Sequence, residues 1–80
     1  MRLTRHAKNR IRLIARRAPD VTEEWLLEAL TSAVLVGTDV KGNPKFRVRI
    51  DAIMLTVVVD EERQIVVTCW REDDNGRLHI

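Results

Sequence analysis

The sequence predicts an α+β domain of two layers, in which two N-terminal helices cover a four-stranded antiparallel sheet in the order ααββββ. Three observations predict this class. Apolar residues recur at helical spacing in the first third of the chain, strand patterns fill most of the rest, and turn-forming residues separate the segments. The 80 residues fit one small domain, and an apolar fraction of 45% favours a folded chain.

The first helix is predicted over residues 3–18. Thr4 fits the N-cap position, because its hydroxyl can accept a backbone N–H of the first turn. Pro19 ends the helix, since the residue before a proline avoids helical geometry. Between them, one apolar stripe at helical spacing consists of Ala7, Ile11, Ile14 and Ala18.

A second helix is predicted after Pro19. Asp20 and Thr22 are alternative N-caps, and the carboxylates of Glu23 and Glu24 favour the positive end of a helix. The helix is expected to end near residue 31 or 32, where β-favouring residues begin. Its apolar stripe consists of Leu26, Ala29, Leu30 and Ala33.

The β-favouring residues 33–36 form the first predicted strand, and three more strands complete the predicted sheet. A turn at residues 42–44 precedes residues 45–50, which alternate between basic and apolar side chains as a half-buried strand does. Residues 53–59 are apolar almost throughout, as in a central strand covered on both faces. A charged hairpin loop leads to the last strand, residues 64–70. Residues 72–80 are expected to form a loosely held tail.

Cys69 is the chain's single cysteine, which excludes an internal disulfide and fits a reducing compartment. Simple alternation places it with Ile65 and Val67 on one face of the last strand, and a buried structural thiol is expected there. No apolar run reaches the length needed to cross a bilayer, and the charged N-terminus lacks a signal-peptide core. We therefore expect a cytoplasmic protein without a membrane partner.

The charges are distributed unevenly although the net charge is only +2. Residues 1–20 carry seven Lys and Arg against Asp20, and Lys45, Arg47 and Arg49 add three more in a short span. A segregated basic face indicates a nucleic-acid partner. The alternative is that these are ordinary solvated charges.

One group of side chains on the first helix is suited to chemistry. At ~100° per residue, His6, Arg10 and Arg17 fall within roughly 40° of one another, at the edge of the apolar stripe. His6, Cys69 and His79 lack metal-ligand spacing, and no glycine-rich phosphate loop occurs. We expect neither a metal nor another cofactor.

Three short features of the sequence carry a resemblance to a known family. They are the pattern Leu3-Thr4-x-His6-Ala7-x-x-x-Arg10, an arginine at position 16 or 17, and the element Val66-Val67-Thr68. Together they resemble the domain-of-unknown-function 4258 family of small bacterial and phage proteins. That family is related to the RelE/barnase-like fold of metal-independent ribonucleases and toxins. The resemblance covers roughly residues 1–71. It implies a RelE-like fold, RNA as partner or substrate, and an acidic antitoxin-like protein as a second partner. The chain departs from the pattern at its Arg16-to-Asp20 junction and in having no tyrosine.

Metal-independent RNA cleavage needs a base, cations that hold the phosphate, and an acid for the leaving oxygen. His6 is the predicted base and Arg10 and Arg17 the phosphate clamp, with Thr68 as a further donor if the last strand faces this helix edge. The sequence offers no evident acid, because arginine keeps its proton and His79 lies in the tail. The alternative is that His6 only bonds to a strand carbonyl and fixes the helix on the sheet.

A second candidate surface is the outward face of the alternating strand. Lys45, Arg47 and Arg49 would contact RNA phosphates there, and Trp70 would stack on a base, although Trp70 also suits core or edge packing. The alternative function is a non-enzymatic protein that forms a homodimer, or joins a complex, through its sheet edge.

Overall fold

The structure, a computed structural model, describes residues 1–72 and confirms the α+β class. Residues 73–80, with His79 and most of the predicted tail, lie outside the described part. The described chain folds into two helices joined to a sheet, with a single 3₁₀ turn between the second helix and the next strand. In chain order the elements are β1 (Arg2–Leu3), α1 (Arg5–Ala15), α2 (Glu23–Ala29), the 3₁₀ turn (Leu30–Ser32), β2 (Val34–Thr38), β3 (Pro44–Ile50), β4 (Ile53–Asp60) and β5 (Ile65–Arg71).

The sheet differs from the predicted four antiparallel strands. Its five described strands lie in the order β1-β5-β4-β3-β2, and β2 to β5 form an antiparallel meander. The additional strand, β1, runs parallel to β5, with Arg2 opposite Ile65 and Leu3 opposite Val66. A strand of two residues carries no periodicity that a sequence pattern could reveal. The prediction of a purely antiparallel sheet was therefore wrong, and the sheet is mixed.

Thr4 fixes the start of α1 and also ties it to the sheet. Its hydroxyl oxygen accepts the backbone N–H of Ala7 at 3.0 Å, which confirms the predicted N-cap. The same hydroxyl donates to the carbonyl oxygen of Val67 in β5 at 2.8 Å. At the second helix, Thr22 and not Asp20 is the N-cap, and it accepts the N–H of Trp25.

The core lies between the helices and one face of the sheet. Ala7, Ile11 and Ile14 of α1 are buried, as the predicted stripe requires, and Leu26 of α2 is completely buried. Burying apolar side chains from both layers is the main contribution to the stability of such a domain. The sheet residues of this core are Leu3, Val48, Ile50, Leu55, Val57, Val59, Val66 and Cys69.

An irregularity in β5 changes which of its residues face the core. The pairing with β4 passes from Val58 opposite Thr68 to Val59 opposite Val66, so Val67 is an additional residue in β5. Val66 and Cys69 are consequently both fully buried in the core, although they lie three positions apart in the strand. The predicted alternation, with Val67 and Cys69 on one face, was wrong because a bulge shifts the period of two.

The same packing leaves one face of the sheet without a helix. We call it the open face; the residues on it include Lys45, Arg47, Thr56, Val58, Thr68 and Trp70.

Among residues 1–72, neither helix combines the length and the apolar composition that a bilayer-spanning helix needs.

Candidate nucleic-acid interface

The outer side of α1 carries a row of positive charges. Residues three or four positions apart are neighbours on a helix surface, so these side chains form one continuous row. With a rise of 1.5 Å per residue, the row extends over about 16 Å. We call this row the cationic stripe; its members, all exposed, are Arg5, Lys8, Arg12 and Arg16.

The positive charges of the cationic stripe are not neutralised within the described chain. None of its four side chains forms an ion pair with any residue in positions 1–72. Arg2 and Arg17, which are exposed at the two ends of α1, add to the same positive field. No acidic residue precedes Asp20 in the sequence. This end of the molecule therefore presents a strong positive potential to solvent.

The charge pattern of α1 opposes the stability of the helix. Its first turn holds no acidic residue, and Arg5 lies at the end where the helix dipole favours negative charge. Lys8 and Arg12, and then Arg12 and Arg16, are like-charged pairs four residues apart, each of which costs about 0.2–0.5 kcal/mol. By contrast, α2 begins with two glutamates. A bound polyanion would relieve the repulsion in α1.

The three side chains predicted to cut RNA lie along a different edge of α1. His6 is exposed in the first turn, Arg10 is half-buried, and Arg17 is exposed beyond the end of the helix. The helical rise from His6 to Ala15, the last residue of α1, is about 14 Å, and Arg17 lies beyond that end. A helical projection shows such residues as neighbours because it omits distance along the axis. The structure therefore does not bring His6 and Arg17 to one phosphate.

Arg10 holds α1 against the sheet. Its Nε donates to the carbonyl oxygen of Cys69 in β5 at 3.1 Å. Together with the bond from Thr4 to Val67, this contact fixes the helix on the last strand. The anchoring role that the sequence offered as an alternative for His6 is thus filled by Arg10 and Thr4.

Thr68 lies on the opposite face of the sheet from α1. The next residue, Cys69, pairs with Val57, and both are in the core. Thr68 itself pairs with Val58, the residue that follows Val57 in β4. Because adjacent residues of a strand point to opposite faces, Thr68 faces away from the helices. The structure separates it from His6 by the thickness of the sheet.

The open face collects the residues predicted to bind RNA through the strands. Lys45 pairs with Val58, which in turn pairs with Thr68. One row along, Arg47 pairs with Thr56 and Thr56 pairs with Trp70. Phe46 and Val48 pack on the helix side, so alternation places Lys45, Arg47 and Arg49 together on the open face.

Glu72 reduces the positive charge that the open face offers. Both of its carboxylate oxygens accept hydrogen bonds from Arg47 Nε, at 3.0 and 2.9 Å, and Oε2 also accepts from the Thr56 hydroxyl at 2.8 Å. The bond from Arg47 and, less strongly, that from Thr56 lower the pKa of Glu72. Arg49 donates from Nε to the Asp51 carbonyl, and Trp70 is only half-exposed. This arrangement was not predicted, because Glu72 belonged to the predicted tail.

One cleft of the described chain is mainly acidic. It has a volume of about 500 Å³ and lies between α2 and the end of β3, with Asp20, Trp25, Glu28, Arg49 and Asp51 in its lining. The neighbouring carboxyl of Asp20 raises the pKa of Asp51, first through a hydrogen bond that requires a proton and second through repulsion between the two charged carboxylates. A phosphate would meet the same repulsion, so this cleft is unsuited to RNA.

Cys69 cannot act as a nucleophile in the folded protein near neutral pH. Burial raises the pKa of its thiol to about 11, and the side chain has no exposed surface. This agrees with the predicted structural thiol. In the part of the chain that the structure describes, no three His, Cys, Asp or Glu side chains are grouped to hold a metal ion.

Comparison with known families, with curated proteins and with solved structures finds no match to this chain. The RelE-like resemblance, and the activity that it implies, therefore stay predictions. The functional argument rests on the charges and contacts described above.

Proposed function

We propose that this protein binds RNA through the cationic stripe of α1. The observation that supports the proposal is a row of exposed cations, free of ion pairs with residues 1–72, on a helix whose first turn has no acidic residue. Neutralising phosphates by lysine and arginine releases condensed counterions, which drives nucleic-acid binding. The open face is the weaker candidate, since Glu72 already neutralises Arg47.

The chemistry of the stripe favours a phosphate backbone over an acidic protein. Three of its four members are arginines, whose planar guanidinium group can donate two hydrogen bonds to one phosphate. The regular spacing along a rigid helix suits a linear array of equal charges. No aromatic side chain belongs to the stripe, so the bases would not be read by stacking. Binding would accordingly depend strongly on salt and little on RNA sequence.

RNA cleavage is the further part of the proposal, and it places His6 as the base. The separation of His6 from Arg17, and the bond that holds Arg10 to β5, support binding more than cutting. Incubation of RNA with the protein in EDTA tests this directly. If His6 is the base, 2′,3′-cyclic phosphate ends should form with the wild type and be absent with His6→Ala. Equal cutting by both proteins, or intact RNA with both, would exclude His6 as a catalytic residue.

A toxin-like activity would also require the acidic antitoxin-like partner that the resemblance implies. Such a partner would cover the cationic stripe, since that is where complementary charge is greatest. The partner and RNA would then compete for the same surface.

The binding proposal is tested by fluorescence anisotropy with a labelled single-stranded RNA at several salt concentrations. If the stripe contacts four phosphates, the slope of log K against log salt should be about −3. Arg12→Glu should weaken binding by about tenfold, which corresponds to 1.4 kcal/mol. The matched control is Arg63→Glu, the same charge change at a loop residue whose side chain is 81% exposed.

Three outcomes decide between the surfaces. Loss of affinity with Arg12→Glu alone supports the stripe. If instead Lys45→Gln and Arg49→Gln abolish binding while Arg12→Glu does not, RNA binds on the open face and our assignment of the stripe is wrong. If the wild type shows no salt-dependent binding to RNA, the proposed function itself is refuted.

A further inference from the structure

The outer strand β2 exposes apolar side chains that a monomer would be expected to bury. Val34, Leu35 and Val36 are 61%, 60% and 43% exposed, respectively. β2 is the last strand of the sheet and pairs only with β3, so one edge of its backbone faces solvent. The opposite edge of the sheet is β1, which has just two residues. The exposed apolar strand is therefore at one end of the sheet.

The features that normally protect an edge strand from pairing are mostly missing from β2. Natural edges are protected by lysines, prolines, inward-pointing charges, bulges or short length. Residues 30–38 contain no charged residue and no proline, in a chain of which 32% is charged. A bulge between Leu35 and Gly37 is present, and it limits the regular part of the edge to the beginning of the strand. Val36 is the extra residue of this bulge, so the regular part is Val34 and Leu35, and all three residues are apolar.

We infer that β2 pairs antiparallel with β2 of a second copy of this chain, joining the two five-stranded sheets into one. The sequence of the strand favours a second copy as the occupant. Antiparallel self-pairing centred on Leu35 puts Val34 of each chain opposite Val36 of the other, and the strand itself, residues 34–38, carries no charge. No like charges are therefore brought together, whereas like charges directly opposite one another destabilise a strand pair. Two-fold symmetry also gives each exposed valine an apolar partner.

The interface would be small, and the dimer reversible. A five-residue strand with three exposed apolar side chains contributes less area than the 1,200–2,000 Å² that stable interfaces bury. We therefore expect dissociation constants on the order of 10 µM, with exchange between monomer and dimer at working concentrations. This inference is independent of RNA binding, since β2 and the cationic stripe share no residue.

Sedimentation velocity of the full chain from about 5 to 500 µM, a range that brackets the expected constant, tests the inference. The wild type should shift from monomer to dimer as concentration rises. Leu35→Lys and Val36→Lys should each leave a monomer, because the first brings two lysines together at the symmetry axis and the second places a charge against the apolar Val34 of the other copy. The control is Val40→Lys, at a fully exposed valine in the β2–β3 loop, which should dimerise as the wild type does. Circular dichroism identifies any variant that fails to fold.

Hydrogen exchange provides a second measurement that needs no variant. The outward N–H groups of β2 should gain protection at the high protein concentration and lose it at the low one, while those of β3 stay unchanged. A wild type that is monomeric throughout this range overturns the inference. So does a dimer that persists in both lysine variants, or one that Val40→Lys disrupts equally.

Discussion

Replacing Arg5 by glutamate is expected to make the protein more stable and, at the same time, a weaker RNA binder. Arg5 is the first residue of α1 and follows the N-cap Thr4, whereas Glu23 follows the N-cap Thr22 in α2. Arg5→Glu would therefore give α1 the same start as α2, a threonine N-cap followed by a glutamate. The first helical residue can then be compared in the two helices with either sign of charge.

The size of the gain follows from two effects at the helix surface. A carboxylate in the first turn is favoured by the dipole by about 0.3–1 kcal/mol, and the arginine now there is disfavoured. The repulsion between Arg5 and Lys8, three residues apart, becomes an attraction, which changes the energy by a few tenths of a kcal/mol. The free energy of unfolding should rise by about 1 kcal/mol, or about 5 °C in Tm for a domain of this size.

Thermal unfolding followed by circular dichroism at low ionic strength measures the gain, and anisotropy measures RNA binding on the same samples. At about 1 M salt the difference in Tm should largely disappear, because screening removes interactions between exposed charges. The reciprocal control, Glu23→Arg, should lower Tm by a similar amount. An Arg5→Glu protein that melts below the wild type, or binds RNA equally well, would contradict our account of α1.

Three further outcomes are expected. Thr4→Val should lower the free energy of unfolding by about 2 kcal/mol and Thr22→Val by about 1, measured in urea, because Thr4 alone also bonds to the opposite layer. Cys69 should react with a thiol reagent at pH 8 only as fast as the protein unfolds; rapid labelling of the native protein would show that the thiol is accessible. Because the native pKa of Glu72 is lowered, its bond to Arg47 stabilises the fold above the ordinary glutamate pKa of about 4.3 and is lost as pH falls through the native value. Glu72→Gln should accordingly destabilise the protein at pH 7, and the difference between the two proteins should diminish towards pH 3.

Much of the fold could be predicted from the sequence because its signals are local. The N-cap Thr4, the apolar stripe of α1 and the alternation of residues 45–50 each act over a few residues, and the structure confirms all three. What the sequence did not reveal depends on partners far along the chain. The strand Arg2–Leu3 exists only because β5 lies beside it, and the bulge at Val67 is defined by its register with β4.

The candidate site shows the same division. The cationic stripe follows from residue spacing alone. The residues predicted to bind RNA through the strands share one side of the sheet, as the alternation suggested; they are Lys45, Arg47, Arg49 and Trp70. The grouping of His6 with Arg17 considered the angle around the helix without the distance along its axis, whereas the structure places His6 in the first turn of α1 and Arg17 beyond its last residue. The pairing of Arg47 with Glu72 could not be predicted, because it joins positions 25 residues apart.

The placement of α1 against the last strand has a consequence for the order in which the chain folds. The hairpins of the meander close short loops, whereas α1 and β1 reach their partners only across more than 60 residues, from Thr4 to Val67. Closing a long loop costs more entropy and delays the contacts that depend on it. The meander can therefore assemble first, and the N-terminal segment docks in a late step. Because the cations of this segment repel one another and salt screens that repulsion, the rate of docking should increase with ionic strength.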